Sequence, residues 1–150
     1  MDRKKIEQEA FKIIDEYGKV LNSSAKRTFV IPESKLPYSK KVIKNAIRVV
    51  LLNVDDKDTK EHLKSRYISL GNFVSDEDAK NTAEISKGLF PFLEMDEENK
   101  KEFLRERFES GLLGDYEMAM QISRKIADEQ KRLKKEIDLF LKTENDRRAD

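Results

Sequence analysis

The chain has 150 residues, a formal net charge of +1, 41% charged residues and no cysteine. That length fits one domain, and the missing cysteines exclude disulfides, thiol nucleophiles and thiolate metal sites. No apolar run approaches the ~20 residues needed to cross a bilayer, and the N-terminus is no signal peptide, so a cytoplasmic protein without membrane contact is expected.

Gly and Pro are scarce, while Lys, Glu, Leu and Ile are frequent, and such unbranched side chains lose little rotamer freedom in helices. Eight Phe and four Tyr supply large apolar surfaces to bury, which argues against disorder. The expected fold is all-α, a single-domain antiparallel bundle of about six helices with a long C-terminal helix. Residues 1–142 form the bundle in this reading, and 143–150 a charged, frayed tail. The small net charge conceals polarity. Residues 24–48 hold seven Lys/Arg against one Glu, and residues 76–111 six Lys/Arg against eleven Asp/Glu.

The first helix is expected over 4–21, with Ile6, Ala10, Ile13, Ile14, Tyr17 and Leu21 on one face. Asn22 to Leu36 reads as a connection, because Asn-Ser-Ser and two X-Pro steps resist helix continuation. Phe29-Val30-Ile31 within it is expected to be an apolar loop anchor rather than a strand. Lys35 to Val54 organises the chain. Ser39 is the expected N-cap, and Val42, Ile43, Ala46, Ile47, Val50, Leu51 and Val54 recur at helical spacing. Val49 and Leu52 widen this stripe almost to a full circle, so the helix must lie under others.

Asp55-Asp56 breaks that helix and caps a third over 57–70, with Leu63, Tyr67 and Leu70 facing inward and Gly71-Asn72 as its stop. Ser75 caps a fourth, with Asp76, Glu77 and Asp78 at the positive end of its dipole. This helix is expected to stop at Gly88, leaving Leu89-Phe90-Pro91-Phe92-Leu93 as an apolar connection. Those side chains either plug an open end of the bundle or form an exposed docking patch. Asp96 caps a fifth helix over 97–110. The last is expected over 115–142, along a seam of Tyr116, Ala119, Ser123, Ile126, Gln130, Leu133, Ile137 and Phe140. Gly114-Asp-Tyr-Glu and the following Ala119 resemble one tetratricopeptide helix pair. Arrays of that family need about three units, so one pair implies a helical hairpin and no function.

Candidate chemistry is sparse. His62 is the only histidine, which rules out a multi-histidine metal site, and it reads as a partly exposed structural residue. Glu94 and Glu97, Glu98 and Glu102, and Glu106 and Glu109 lie at helical spacing, as in all-α nucleotide hydrolases that bind magnesium. Lys100, Lys101, Arg105 and Arg107 interleave with them and neutralise them pairwise. The pattern thus calls for no catalytic residue, metal ligand or cofactor.

The stronger signals concern binding. Lys40, Lys44 and Arg48 form one basic stripe, flanked by Lys41 and preceded by Lys26, Arg27 and Lys35, and such a stripe can follow phosphates. The competing expectation is that acidic residues 76–111, of the same chain or another copy, cover it. The last helix is long enough to reach past its own bundle, so Ile126, Leu133, Ile137 and Phe140 join Leu89, Phe90, Phe92 and Leu93 as candidate interface residues. The first expectation is a non-enzymatic interaction or scaffold module that self-associates or binds another protein. The alternatives are an RNA- or DNA-binding accessory subunit and a metal-dependent nucleotide hydrolase.

Overall fold

Four helix starts announce themselves by the same hydrogen bond. Ser39 Oγ accepts from the Val42 N–H at 3.3 Å, Asp56 Oδ2 from Thr59 at 3.1 Å, Ser75 Oγ from Asp78 at 3.1 Å and Asp96 Oδ1 from Asn99 at 2.9 Å. Each satisfies one of the amide groups that the first turn of a helix leaves without an intrahelical partner. A computed structural model describes the backbone of residues 2–24, 30–93, 95–109 and 112–149, less the side chains of 24, 86–93, 103–104, 107–109, 112–116 and 148–149.

The described residues form six α-helices: α1 (Arg3–Ser24), α2 (Lys40–Leu51), α3 (Lys57–Ser69), α4 (Asp76–Leu93), α5 (Glu97–Glu109) and α6 (Leu112–Ala149). Among the described residues the protein is all-α but for one short pairing. Strand β1 (Ile31–Pro32) lies parallel to β2 (Phe73–Val74), with Ile31 opposite Phe73 and Pro32 opposite Val74. Ile31 is therefore extended backbone as well as a buried anchor, correcting the expectation of a loop alone. Short 3-10 turns follow β1 and precede β2. Among the described residues no helix is long and apolar enough to cross a membrane.

The described core draws on helices α1, α2, α3 and α6, on both strands and on Leu70 of the turn before β2. Ile14 and Tyr17 of α1, Ile43, Ile47 and Val50 of α2, and Leu63 and Tyr67 of α3 meet Ile31, Phe73, and Leu133 and Ile137 of α6. Two tyrosines in so apolar a space need partners for their hydroxyls. Tyr17 Oη lies 2.6 Å from Ser69 Oγ, and Tyr67 donates to Glu136. Around the core, Arg66 donates to the Ile14 carbonyl at 3.2 Å, its guanidinium lying over Gly18, and Lys64 pairs with Asp138 at 2.8 Å.

Several boundaries differ from the sequence reading, and α1 runs on through Asn22 to Ser24, where a connection was expected. α4 continues through Gly88 and Pro91 to Leu93, because glycine in a helix costs only about 1 kcal/mol and the hydrogen bond lost at proline falls in the final turn. Leu89 to Leu93 therefore belong to a helix and are no connection. α6 begins at Leu112 and continues through 143–149, expected as a frayed tail. Here Thr143 Oγ1 bonds back to the Leu139 carbonyl at 2.9 Å, and Glu144 pairs with Arg147 at 3.5 Å. At ~1.5 Å per residue, α6 is roughly 57 Å long. Along its seam, Ile122 is buried where Ser123 was expected, and Ser123 is exposed. A straight helix drifts by ~20° per heptad from a strict seven-residue pattern, so the seam moves to the neighbouring residue.

Gly71 marks the closest approach to α6. A Cβ there would stand 2.9 Å from Gln130 Cγ and 3.1 Å from the Gln130 backbone nitrogen. The carboxamide of Gln130 also donates to Asn72 Oδ1 at 2.6 Å. Gly71→Ala is accordingly expected to lower stability by about 1–3 kcal/mol, because α6 must shift. Denaturant unfolding checks this, and an unchanged midpoint would show that the contact yields.

Candidate interaction surfaces

The basic stripe of α2 is engaged, and mainly by α6. Lys40 Nζ donates to the Phe73 carbonyl at 2.8 Å and lies 3.5 Å from Glu33. Lys44 Nζ lies 3.3 Å from Glu136, and Arg48 Nη2 lies 2.8 Å from both Glu136 Oε1 and Tyr67 Oη. Tyr67 thus accepts from Arg48 and donates to Glu136. The Arg48 guanidinium also sits 5.7 Å from the Tyr67 ring centroid and 5.5 Å from that of Phe140, favourable ground for a weakly hydrated planar cation. Its Nε is buried without an acceptor among the described residues. Arg132 completes the cluster, at 2.5 Å from Glu129 and 3.3 Å from Glu136.

These contacts leave an electrostatic signature. Burial works to raise the Glu136 pKa, but the hydrogen bonds from Tyr67 and Lys44 and the charges of Lys44 and Arg48 outweigh it, leaving the carboxyl below its ordinary range. Tyr67 is pushed up to about 12, first by burial and then by the carboxylate it bonds. Tyr17 rises to about 12 as well, through burial, against the pull of Ser69 and Arg66. A tyrosine whose pKa is raised on folding contributes stability that is complete below the unfolded value of ~10 and lost as pH rises through the folded value. Stability is therefore expected to fall between about pH 10 and about 12. Ultraviolet titration should show Tyr17 and Tyr67 ionising late, with Tyr38 also displaced upward by its hydrogen bond to Glu16. Complete ionisation near the ordinary value would contradict the burial of Tyr17 and Tyr67.

Of the other stripe candidates, Lys35 and Lys41 are exposed, and Lys26 and Arg27 lie outside the described residues. Among the described residues the carboxylates that meet the stripe are Glu33, Glu129 and Glu136, none of them in the expected cover 76–111, Glu129 feeling the charges of Lys40 and Lys44. The signal for this was present in Glu129, Arg132 and Glu136, spaced by three and four along α6 beside the seam.

The apolar interface candidates divide. Leu133 and Ile137 are fully buried in the chain's own core, and Phe140 packs against it, so their surface is consumed internally. Ile126 is half-buried, and the side chains of Leu89, Phe90, Phe92 and Leu93 lie outside the described residues. Past Leu141 the helix carries mostly exposed polar side chains. His62 is exposed. Among the described residues no three acidic or histidine side chains converge to hold a metal ion.

An unforeseen surface lies between α1 and α2. Ala10 and Ala46 form the floor of an open groove of about 770 Å³, walled by Ile6, Ile13, Val42 and Val49 and rimmed by Lys5, Glu9 and Lys12. Two alanines let the helices approach closely and leave a concavity above them. Ile6 and Val42, expected to be inward, are each 39% exposed. Their helical spacing was legible, but periodicity cannot tell a covered flank from an open one.

No protein-family model matches the chain, and no curated protein or solved structure matches it either.

Proposed function

We propose that the protein is a non-enzymatic helical interaction module, an antiparallel bundle acting in the cytoplasm, that pairs with a second copy of itself. The observation that carries this reading is the open apolar groove between α1 and α2. Its floor and walls are mainly hydrocarbon, with Asn45 the polar residue on the α2 side and the charged groups at the rim, a distribution typical of a contact surface with an apolar centre. The RNA- or DNA-binding alternative has less support, because Lys40, Lys44 and Arg48 are held by carboxylates and a carbonyl of the same chain. Lys35 and Lys41 are the described candidates that remain exposed.

Sedimentation equilibrium over a concentration series tests the proposal. The weight-average mass should rise from 17.6 kDa toward twice that value. A mass that stays at the monomer value up to about 1 mM, where even weak pairing with a −4 kcal/mol free energy would register, contradicts it.

A further inference from the structure

We infer that the second copy docks groove to groove, with α1 antiparallel to α1 of the partner about a two-fold axis level with Ala10 and Ala46; this rests on the self-association proposed above. The first argument is charge. Lys5, Glu9 and Lys12 line the groove, and Glu16 follows one turn beyond Lys12, so the charges along α1 alternate in sign at spacings of four, three and four. Reversing the helix about the point between residues 10 and 11 places Lys5 on Glu16 and Glu9 on Lys12, so every cation meets an anion. Parallel stacking in register places like on like. None of these four residues belongs to an ion pair among the described residues, although Glu16 also accepts the Tyr38 hydroxyl, raising the pKa of that phenol.

The second argument is shape. The groove side of α2 reads Val42, Asn45, Ala46, Val49, nearly unchanged on reversal about the point between residues 45 and 46. The two reversal points lie side by side. Arg3 donates to Asn53 at 2.9 Å, and Tyr38 reaches Glu16, which sets the middle of α1 level with the middle of α2. A single axis therefore satisfies both helices, as an isologous interface requires. It stacks one alanine-floored groove on another and closes Ile6, Val42 and their partner equivalents away from water.

Paired charge variants test this. Lys5→Glu with Lys12→Glu makes the stripe wholly acidic, and Glu9→Lys with Glu16→Lys makes it wholly basic. Each alone should dimerise at least about tenfold more weakly than wild type, since like charges then face each other, and an equimolar mixture should recover the dimer. Circular dichroism establishes folding. If the basic variant fails to fold, Val42→Lys at an exposed position should weaken the dimer by a similar factor. A wild-type dimer whose constant is unchanged in these variants overturns the assigned surface while leaving self-association standing. A mixture that stays monomeric overturns the facing of the two charged stripes. A wild type monomeric throughout removes the self-association reading and this inference with it. Should that monomer bind anilinonaphthalene sulfonate in a way Val42→Lys abolishes, the groove belongs to a small apolar ligand instead.

Discussion

Phe73→Ala is expected to be the most damaging single truncation, lowering stability by about 3–5 kcal/mol. The ring is buried in the core, with its centroid 5.8 Å from that of Tyr17 at an interplanar angle of 47°. Its backbone is fixed from two sides, by pairing with Ile31 and by the Lys40 ammonium on its carbonyl. The surroundings therefore cannot collapse into the space vacated, and the cavity term adds to the lost transfer energy. For a chain of this size the melting temperature should drop by on the order of 10 °C. Phe73→Leu, which keeps most of the volume, should cost under about 1.5 kcal/mol. Thermal unfolding followed by circular dichroism separates the two, and equal losses would mean that ring volume is not what the site requires.

Glu136→Ala is expected to cost about 2–3 kcal/mol, more than the ~0.2–1 kcal/mol of an exposed ion pair. One carboxylate serves Lys44, Arg48, Tyr67 and Arg132 together. Its side chain is only 26% exposed, and that of Lys44 17%. Removing it strands cations that the fold has already taken partly out of water, and Arg48 has a second buried nitrogen without an acceptor among the described residues. The pH dependence follows from the lowered pKa of Glu136. Its stabilisation is present above the ordinary carboxylate value of ~4.3 and is lost as pH falls through the lower folded value. Glu136→Gln should remove that part of the acid transition. If the acid limb is the same in wild type and Glu136→Gln, the carboxylate does not hold the stripe.

What could be read from the sequence was local. Ser39, Asp56, Ser75 and Asp96 each cap a helix as expected, because a cap involves a side chain and an amide three residues on. The inward positions of α3, Leu63 and Tyr67, followed from spacing alone. The parallel pairing of Ile31 with Phe73 had no local signal, since the two residues lie far apart in sequence. The basic stripe was visible in Lys40, Lys44 and Arg48, but its acceptor is 88 residues from Arg48, on another helix. Opposite charge excess pointed instead to residues 76–111. Net charge over a segment is a poor guide here, because Glu129 and Glu136 act through position within a segment of mixed sign. The groove escaped for a related reason: Ile6 and Val42 occupy apolar positions of amphipathic helices, and nothing in periodicity records that the layer above them is open.

Helix α2 has one flank held by Glu136 of α6 and another left open beside α1. A double-mutant cycle on unfolding free energy with Arg48→Met, Glu136→Leu and both together tests the held flank most directly. A coupling of at least about 1 kcal/mol is expected, the pair being far more sensitive to losing one member than both. Effects that add to within about 0.3 kcal/mol would mean the two side chains do not meet, returning the stripe to solvent and to a charged partner.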